Sequence, residues 1–254
     1  MDVIILGSGT AIPLVDRGSP SIALVIDGKP ILLDIGFGTL RQLGKVGISY
    51  EQVERIFLTH FHPDHTADLI HFLFASKNPT VLSRRKPVVL TGPSGTARLM
   101  EALHGAYPDW IRLPPEMMQI EELEIRRDVQ RDLGDIRIMA TPTNHTDHSL
   151  AYRIEDRAGK AVVYSGDTGF CQPVIDLARG ADLLILEASF PDGAEEKGHL
   201  TPSQAGRMAA MAHVKRLVLT HFYPESLHAD IEAQCRTTYG GELTLAEDLM
   251  TLRI

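Results

Sequence analysis

Residues 58–69 read LTHFHPDHTADL and place His60, His62, Asp64 and His65 within six consecutive positions, directly after the apolar run RIFL at 55–58. Any fold for this chain must use three imidazoles and a carboxylate at one strand end, because clustered imidazolium charge without compensation is costly. In an extended or tightly turned segment the two-residue step from His60 to His62 lets both rings point the same way. Pro63 stiffens the turn just before a helix start, where proline is tolerated. Asp64 and His65 then fall in the first helical turn and face back towards the same centre. Imidazole and carboxylate together suit zinc, and also manganese or iron. Two ions can share the segment, His60 and His62 holding one, Asp64 and His65 the other. A capping turn with incidental histidines is the blander account and leaves the spacing unexplained.

Four ligands are too few for two ions, so further His and Asp are expected at strand ends downstream. His145 follows a strand in TPTNHTDHSLAYRI, Asp167 another in VVYSGDTG, and His221 a third in LVLTHF, while Asp34 ends an early strand in ILLDIG. There is also an internal echo: RIFLTHF at 55–61 and RLVLTHF at 216–222 agree at five of seven positions. It reads as two strands in two similar halves, each delivering a histidine at its C-terminal end, where α/β sheets build their sites.

Strand-like and helical runs alternate from end to end. Strands are expected at DVIIL, SIALVID, PILLDIG, RIFL, PVVLTG, DLLILE and RLVLT, with three or four more between 118 and 165 around a hairpin turn at EDRAGK. Helices are expected near 37–46, 64–75, 94–106, 173–178 and 202–213, and 107–116 is a proline-broken loop. With 44% hydrophobic residues and no low-complexity linker, residues 1–254 are expected to form a single α/β domain of mixed sheets with helices outside. The short apolar run before the first glycines is not a secretory signal, and no stretch approaches a membrane span, so a cytoplasmic location is expected, without a membrane partner. A net charge of −8 argues against broad capture of nucleic acid, and no DNA partner is expected. The basic stretch SRRKP at 83–87 is expected to be a solvated loop, and Cys171 and Cys235 to be reduced. GSGT near Ser8 lacks the lysine and following helix of a phosphate-binding loop and reads as a tight turn.

The ordered set Asp34, His60-x-His62-x-Asp64-His65, His145, Asp167 and His221 resembles the five sequence motifs of the metallo-β-lactamase superfamily over nearly the whole chain. The resemblance implies a four-layer αββα sandwich, two mixed β-sheets flanked by helices, and two divalent metal ions, zinc first. It implies that His60, His62 and His145 hold one ion and Asp64, His65 and His221 the other, with Asp167 bridging and Asp34 orienting a ligand histidine. Within the superfamily LGSGTAIP, FLTHFHPDHTADL, HTDHSLAY, LEASF and GHLTPSQAG resemble ribonuclease Z, the tRNA 3′-end endonuclease, and phosphodiesterases built like it. That likeness implies a catalytic His199 beside the scissile phosphate, oriented by Glu187, although Leu200 stands where that branch usually has Ser.

The function implied is a dinuclear metal-dependent hydrolase, most plainly a phosphodiesterase. Ions ~3.5–4 Å apart would lower the pKa of a shared water to ~7, giving a bridging hydroxide that attacks phosphorus. Asp64 would orient the nucleophile and His199 would protonate the leaving oxygen. The branch also carries a long tRNA-gripping arm between its third and fourth motifs, whereas here His145 and Asp167 are 22 residues apart. The departure argues against tRNA and keeps a small phosphodiester, such as a cyclic nucleotide, as the alternative to an RNA substrate; an ester, amide or thioester would use the same metals. A redox di-iron relative would have Glu where this chain has His62. A non-catalytic relative would have lost ligands. Superfamily likeness implies a homodimer.

Overall fold

In strand β1 (Asp2–Gly7) Val3 and Ile5 alternate with Ile4 and Leu6, and all four are buried. Alternating side chains point to opposite faces, so both faces of this strand must be covered. The computed structural model describes residues 1–124 and 129–254 and shows what covers them.

The first sheet comprises β1, β2 (Ser21–Ile26), β3 (Lys29–Leu33), β4 (Arg55–Phe57), β5 (Val88–Pro93), β6 (Met118–Leu123) and the last strand, β14 (Thr251–Arg253). The second comprises β7 (Val129–Asp132), β8 (Ile136–Pro142), β9 (Leu150–Asp156), β10 (Ala161–Tyr164), β11 (Leu183–Glu187), β12 (Arg216–Thr220) and β13 (Glu242–Leu245). Their orders are β14-β1-β2-β3-β4-β5-β6 and β13-β12-β11-β10-β9-β8-β7. Between the sheets Val3, Ile5, Leu24 and Phe57 share one core with Ile138, Tyr152, Ile154 and Val163. The Phe57 and Tyr152 rings lie 5.4 Å apart, and the Tyr152 hydroxyl donates to the Leu58 carbonyl. On the other face of the first sheet Ile4, Leu6, Leu32 and Leu90 pack with side chains of helices α1 (Thr39–Lys45), α2–α3 (Pro63–Thr66 and Asp68–Ser76) and α5 (Thr96–Ala106). The short α4 (Pro79–Leu82) follows α3, and α6 (Gln172–Leu177), α7 (Pro202–Ala212), α8 (Pro224–Leu227) and α9 (Ile231–Arg236) belong to the second half, with α6 against β8 and α7 against β12. The result is the expected αββα sandwich.

Both sheets are mixed, and the switch strands matter. β3 pairs antiparallel with β2 and parallel with β4, and β10 pairs antiparallel with β9 and parallel with β11. The chain leaves β3 into Asp34 and leaves β10 into Asp167, so each half places an aspartate where strand direction changes. The two THF echoes sit differently. His60 follows β4, next to its switch strand, whereas His221 follows β12, two strands beyond β10. The echo thus marks two strand ends of one site and not symmetry-equivalent positions.

Other expectations need correction. The 118–165 region holds five strands, β6 to β10, because the charged segment before Ile136 adds the short exposed β7; residues 125–128 within it lie outside the described residues. The 64–75 helix is two, since the Asp68 amide bonds to the Ile35 carbonyl and its carboxylate accepts from the Leu40 amide. Pro63 is itself the first helical residue, with His62 at the N-cap. SRRKP is a loop with Ser83, Arg84, Lys86 and Pro87 exposed, as expected, but Arg85 departs from it: it is buried over the Phe72 ring and donates to Ser76 and the Val53 carbonyl, while Arg84 and Lys86 pair at the surface with Glu51 and Glu54. Both cysteines are free. Among the described residues no helix is long and apolar enough to cross a membrane.

Gly36 is where α2 meets the first sheet: a β-carbon there would lie 2.1 Å from the Asp64 carbonyl oxygen and 2.7 Å from that of Pro20. Gly36→Ala should destabilise by about 3 kcal/mol, a Tm loss of roughly 6–12 °C for a chain of this size. Gly44→Ala, in a helix with nothing near its β-carbon, should cost nothing by the same calorimetry.

Candidate metal centre

Asp34 leaves β3 with φ of 59°, a left-handed conformation that few side chains adopt. Its fully buried carboxylate accepts from the Thr59 amide (2.7 Å), the Thr59 hydroxyl (2.8 Å), the Tyr164 hydroxyl (3.1 Å) and Nδ1–H of His65 (2.7 Å). Because Nδ1 of His65 is engaged there, Nε2 is left to face the centre. Thr59 Oγ1 donates to Asp34 and accepts from Nδ1 of His60 at 3.0 Å, which turns His60 Nε2 inward in the same way. Across the gap between the sheets, Nδ1 of His145 donates to the Gly198 carbonyl (2.9 Å), and its Nε2 lies 3.2 Å from His62 Nδ1.

His60, His62, His145 and Asp167 form one group of ligand-type atoms, and Asp64, His65 and His221 a second. In the second, His65 Nε2 and His221 Nε2 are 3.4 Å apart and lie 3.8 and 3.6 Å from Asp64 Oδ2. Asp167 lies between the groups. Its Oδ1 is 3.2 Å from His65 and 3.3 Å from His221, and its Oδ2 is 3.6 Å from His145 and 3.8 Å from His60. Four-coordinate zinc with bonds of ~2.0–2.1 Å separates its ligands by about 3.3–3.4 Å, close to these spacings. Moreover, His60 Nε2 and Asp167 Oδ1 are buried without any hydrogen-bond partner. Buried polar atoms are rarely left so, and the donor set fits two divalent cations.

The electrostatics suit the first group directly, while in the second a cation would have to displace a proton from His65. Burial, with His65 and His145 beside it, pushes His60 well below the usual imidazole range, leaving it neutral as a ligand must be. Burial likewise lowers His145. Burial opposes charge on His65 too, but Asp167 and Asp34 outweigh it and hold that ring well above the usual range. Burial would raise Asp167, yet His221 and His65 drive it well below the carboxylate range.

A second buried carboxylate organises the other half. Glu187, at the end of β11, accepts from the Thr168 amide (2.7 Å), the Leu200 amide (3.2 Å), the Ser189 hydroxyl and Nδ1–H of His199 (3.0 Å). Ser189 Oγ also accepts from Nδ1 of His221 at 2.9 Å. His199 stands at the rim, 4.8 Å from His145 between ring centroids, and lies within ligand range of Asp167 and His221. Leu200 contributes its amide to Glu187, so the missing Ser at that position does not dislodge His199.

The family model described as Beta-lactamase superfamily domain matches residues 29–222. The ribonuclease Z of Methanothermobacter thermautotrophicus is 30% identical over all of this chain and 97% of its own length. The chain belongs to the metallo-β-lactamase superfamily, in its ribonuclease Z-like branch. The ribonuclease Z of Streptomyces avermitilis is also 30% identical, over 100% of this chain and 97% of that protein. Human tRNase Z, short form, superposes with a TM-score of 0.82 at 27% identity, covering 100% of this chain and 99% of that one. The metallo-β-lactamase fold protein YhfI from Bacillus subtilis gives 0.85 at 22% identity, over 99% of both chains, and shows the shared fold.

The residues expected as ligands of this superfamily member are thus brought into one cluster, with Asp34 bonded to His65 and Glu187 to His199. Reasoning on the sequence missed Thr59, Tyr164, Thr168 and Ser189. Thr59 carries a signal in the THF echo and Ser189 in LEASF; Tyr164 is visible only once the second sheet stacks on the first. Asp34→Ala should weaken metal binding 10- to 100-fold, the usual cost of losing an outer partner, and Ser189→Ala should do so for one ion of the pair. Chelator competition with dialysed protein reads both, and unchanged affinity in Asp34→Ala would mean that His65 is oriented without it.

Proposed function

We propose that the chain is a single-domain, dinuclear metal-dependent phosphodiesterase. The observation that carries the reading is Asp167, which directs one oxygen to each of two histidine groups beside a histidine–glutamate pair. His60, His62 and His145 would hold one ion and Asp64, His65 and His221 the other, with Asp167 shared. Zinc suits these donors best, and manganese or iron also suit them. The ions would supply Lewis acidity towards the phosphoryl oxygens and an acidified water at neutral pH.

The chain's own residues supply the rest. Asp64 holds its place against His65 and His221 and orients the attacking water. His199 protonates the leaving oxygen. Burial pulls its pKa down, but the hydrogen bond and charge of Glu187 outweigh that and hold it above the usual imidazole value. That direction favours the protonated form a general acid needs. The cluster of rings around His199 excludes water from one side of the leaving group.

A short phosphodiester is favoured over a whole tRNA. From 145 to 167 the chain is consumed by β9, β10 and a turn in which Asp156 accepts from the amides of Ala158 and Lys160, and no arm leaves it. Arg84 and Lys86 of SRRKP are paired at the surface with Glu51 and Glu54, and the net charge of −8 disfavours broad capture of RNA. Whole-length likeness to ribonuclease Z favours the RNA reading in turn. Turnover of bis(p-nitrophenyl) phosphate against a tRNA precursor with a 3′ trailer, with His65→Ala as control, decides between them. Cleavage of the diester with an intact precursor is expected. Accurate precursor cleavage would overturn the small-substrate reading, and activity on neither with two metals bound would redirect the search to esters, amides and thioesters.

The pH profile tests the acid. The alkaline limb of kcat/KM should report loss of the His199 proton. Because Glu187 raises that pKa, Glu187→Gln should move the limb to lower pH, and His199→Ala should lower kcat by about 10²- to 10⁴-fold. A limb that stays put in Glu187→Gln would remove His199 from the role.

A further inference from the structure

Tyr223 lies two residues past His221, at the N-cap of α8 and at the mouth of the metal centre. Its ring is held from three sides. It stacks on Phe190 at 4.7 Å and 19°, and meets His221 and His199 edge-on at 5.8 and 6.2 Å. Its amide donates to the Ser189 carbonyl, which ties it to the loop that positions His221. A ring so fixed has lost most of its rotational freedom before any ligand arrives.

The hydroxyl is what the packing does not explain. Tyr50, Tyr152, Tyr164 and Tyr239 donate to Ala75, Leu58, Asp34 and Val214 respectively. The Tyr223 hydroxyl has no hydrogen-bond partner among the described residues, and it is not sealed from solvent. The ring contacts with His221 and His199 set the phenol beside the ligand cluster, where burial first and then the charges of Asp167, Asp64, Glu187 and Glu225 raise its pKa and keep it a donor. Phenylalanine would fill the same stack. A fixed, unpartnered O–H at the entrance of a centre built for charge is a preorganised donor for an anionic group.

We propose that the Tyr223 hydroxyl is a substrate-contacting group that donates a hydrogen bond to a non-bridging phosphoryl oxygen of the bound diester. The inference rests on the phosphodiesterase reading and deepens it by assigning a contact that holds the phosphoryl group beside His199. The bond strengthens as charge builds on that oxygen, so its loss falls on kcat more than on KM. A purely structural tyrosine would instead show in stability or metal content.

The test compares the metal-loaded protein with Tyr223→Phe, which keeps the stack, and Tyr223→Ala, which removes it. Three quantities are measured: metal content, kcat and KM on bis(p-nitrophenyl) phosphate, and calorimetric binding of inorganic phosphate, which needs no turnover. Tyr223→Phe should keep two ions and its Tm, lose roughly 10- to 100-fold in kcat, and bind phosphate several-fold more weakly. Tyr223→Ala should be at least as impaired. Unchanged kcat and phosphate affinity in Tyr223→Phe would overturn the proposal, as would a loss accounted for by missing metal. If the wild type binds phosphate better than Tyr223→Phe but cleaves no diester, the contact stands and the phosphodiesterase reading falls. If it neither binds nor cleaves, both fall.

Discussion

The carboxylate of Asp34 is the interaction on which the rest of the centre depends. It joins β3, the loop after β4, the helix carrying His65 and, through Tyr164, the facing sheet. Four donors on one buried carboxylate fill its accepting capacity with little lost to water. They also hold a non-glycine residue at φ of 59°, a conformation that costs of order 1–3 kcal/mol and persists only where the surroundings over-determine it. His221 has the same φ of 59° and is held in turn by Ser189. Strain thus sits at the two residues that aim the histidines of the second group.

Glu187 does for the second sheet what Asp34 does for the first. It collects Thr168 beside Asp167, Leu200 beside His199, and Ser189 beside His221, so three separate loops answer to one buried charge. The two carboxylates lie in different halves, and their dependants meet where the sheets' ends face one another. Ligand-type atoms from both halves then approach within 3.2–3.8 Å, and a cation would satisfy the unpartnered His60 Nε2 and Asp167 Oδ1 among them. Metal binding would therefore be coupled to the docking of the two halves.

Substrate choice follows from what surrounds this centre more than from the centre itself. The ligand set would serve any hydrolysis in which charge develops on oxygen. The preference proposed for a short diester over a long polyanion rests on the tight β9–β10 turn and the acidic net charge. The aromatic wall of Phe190 and Tyr223 leaves a confined approach beside His199.

Much of this was legible in order along the chain. H-x-H-x-D-H after an apolar strand demanded further ligands, and His145, Asp167 and His221 could be picked out because each follows a strand-like run. Which residues could serve as ligands is a local matter of residue type and spacing, so the sequence by itself picked out the candidates, and the likeness of its motifs carried the fold. What surrounds the ligands is non-local. That Tyr164 reaches Asp34 across 130 residues, that Ser189 couples Glu187 to His221, and that Arg85 is spent on the Phe72 ring depend on which strands stack and in what register. The echo of RIFLTHF and RLVLTHF shows the boundary: the sequence announced two histidine-bearing strand ends, but only strand order decided that they are not equivalent. Hydrogen-bond partners and strand neighbours are properties of packing, and packing alone chose them.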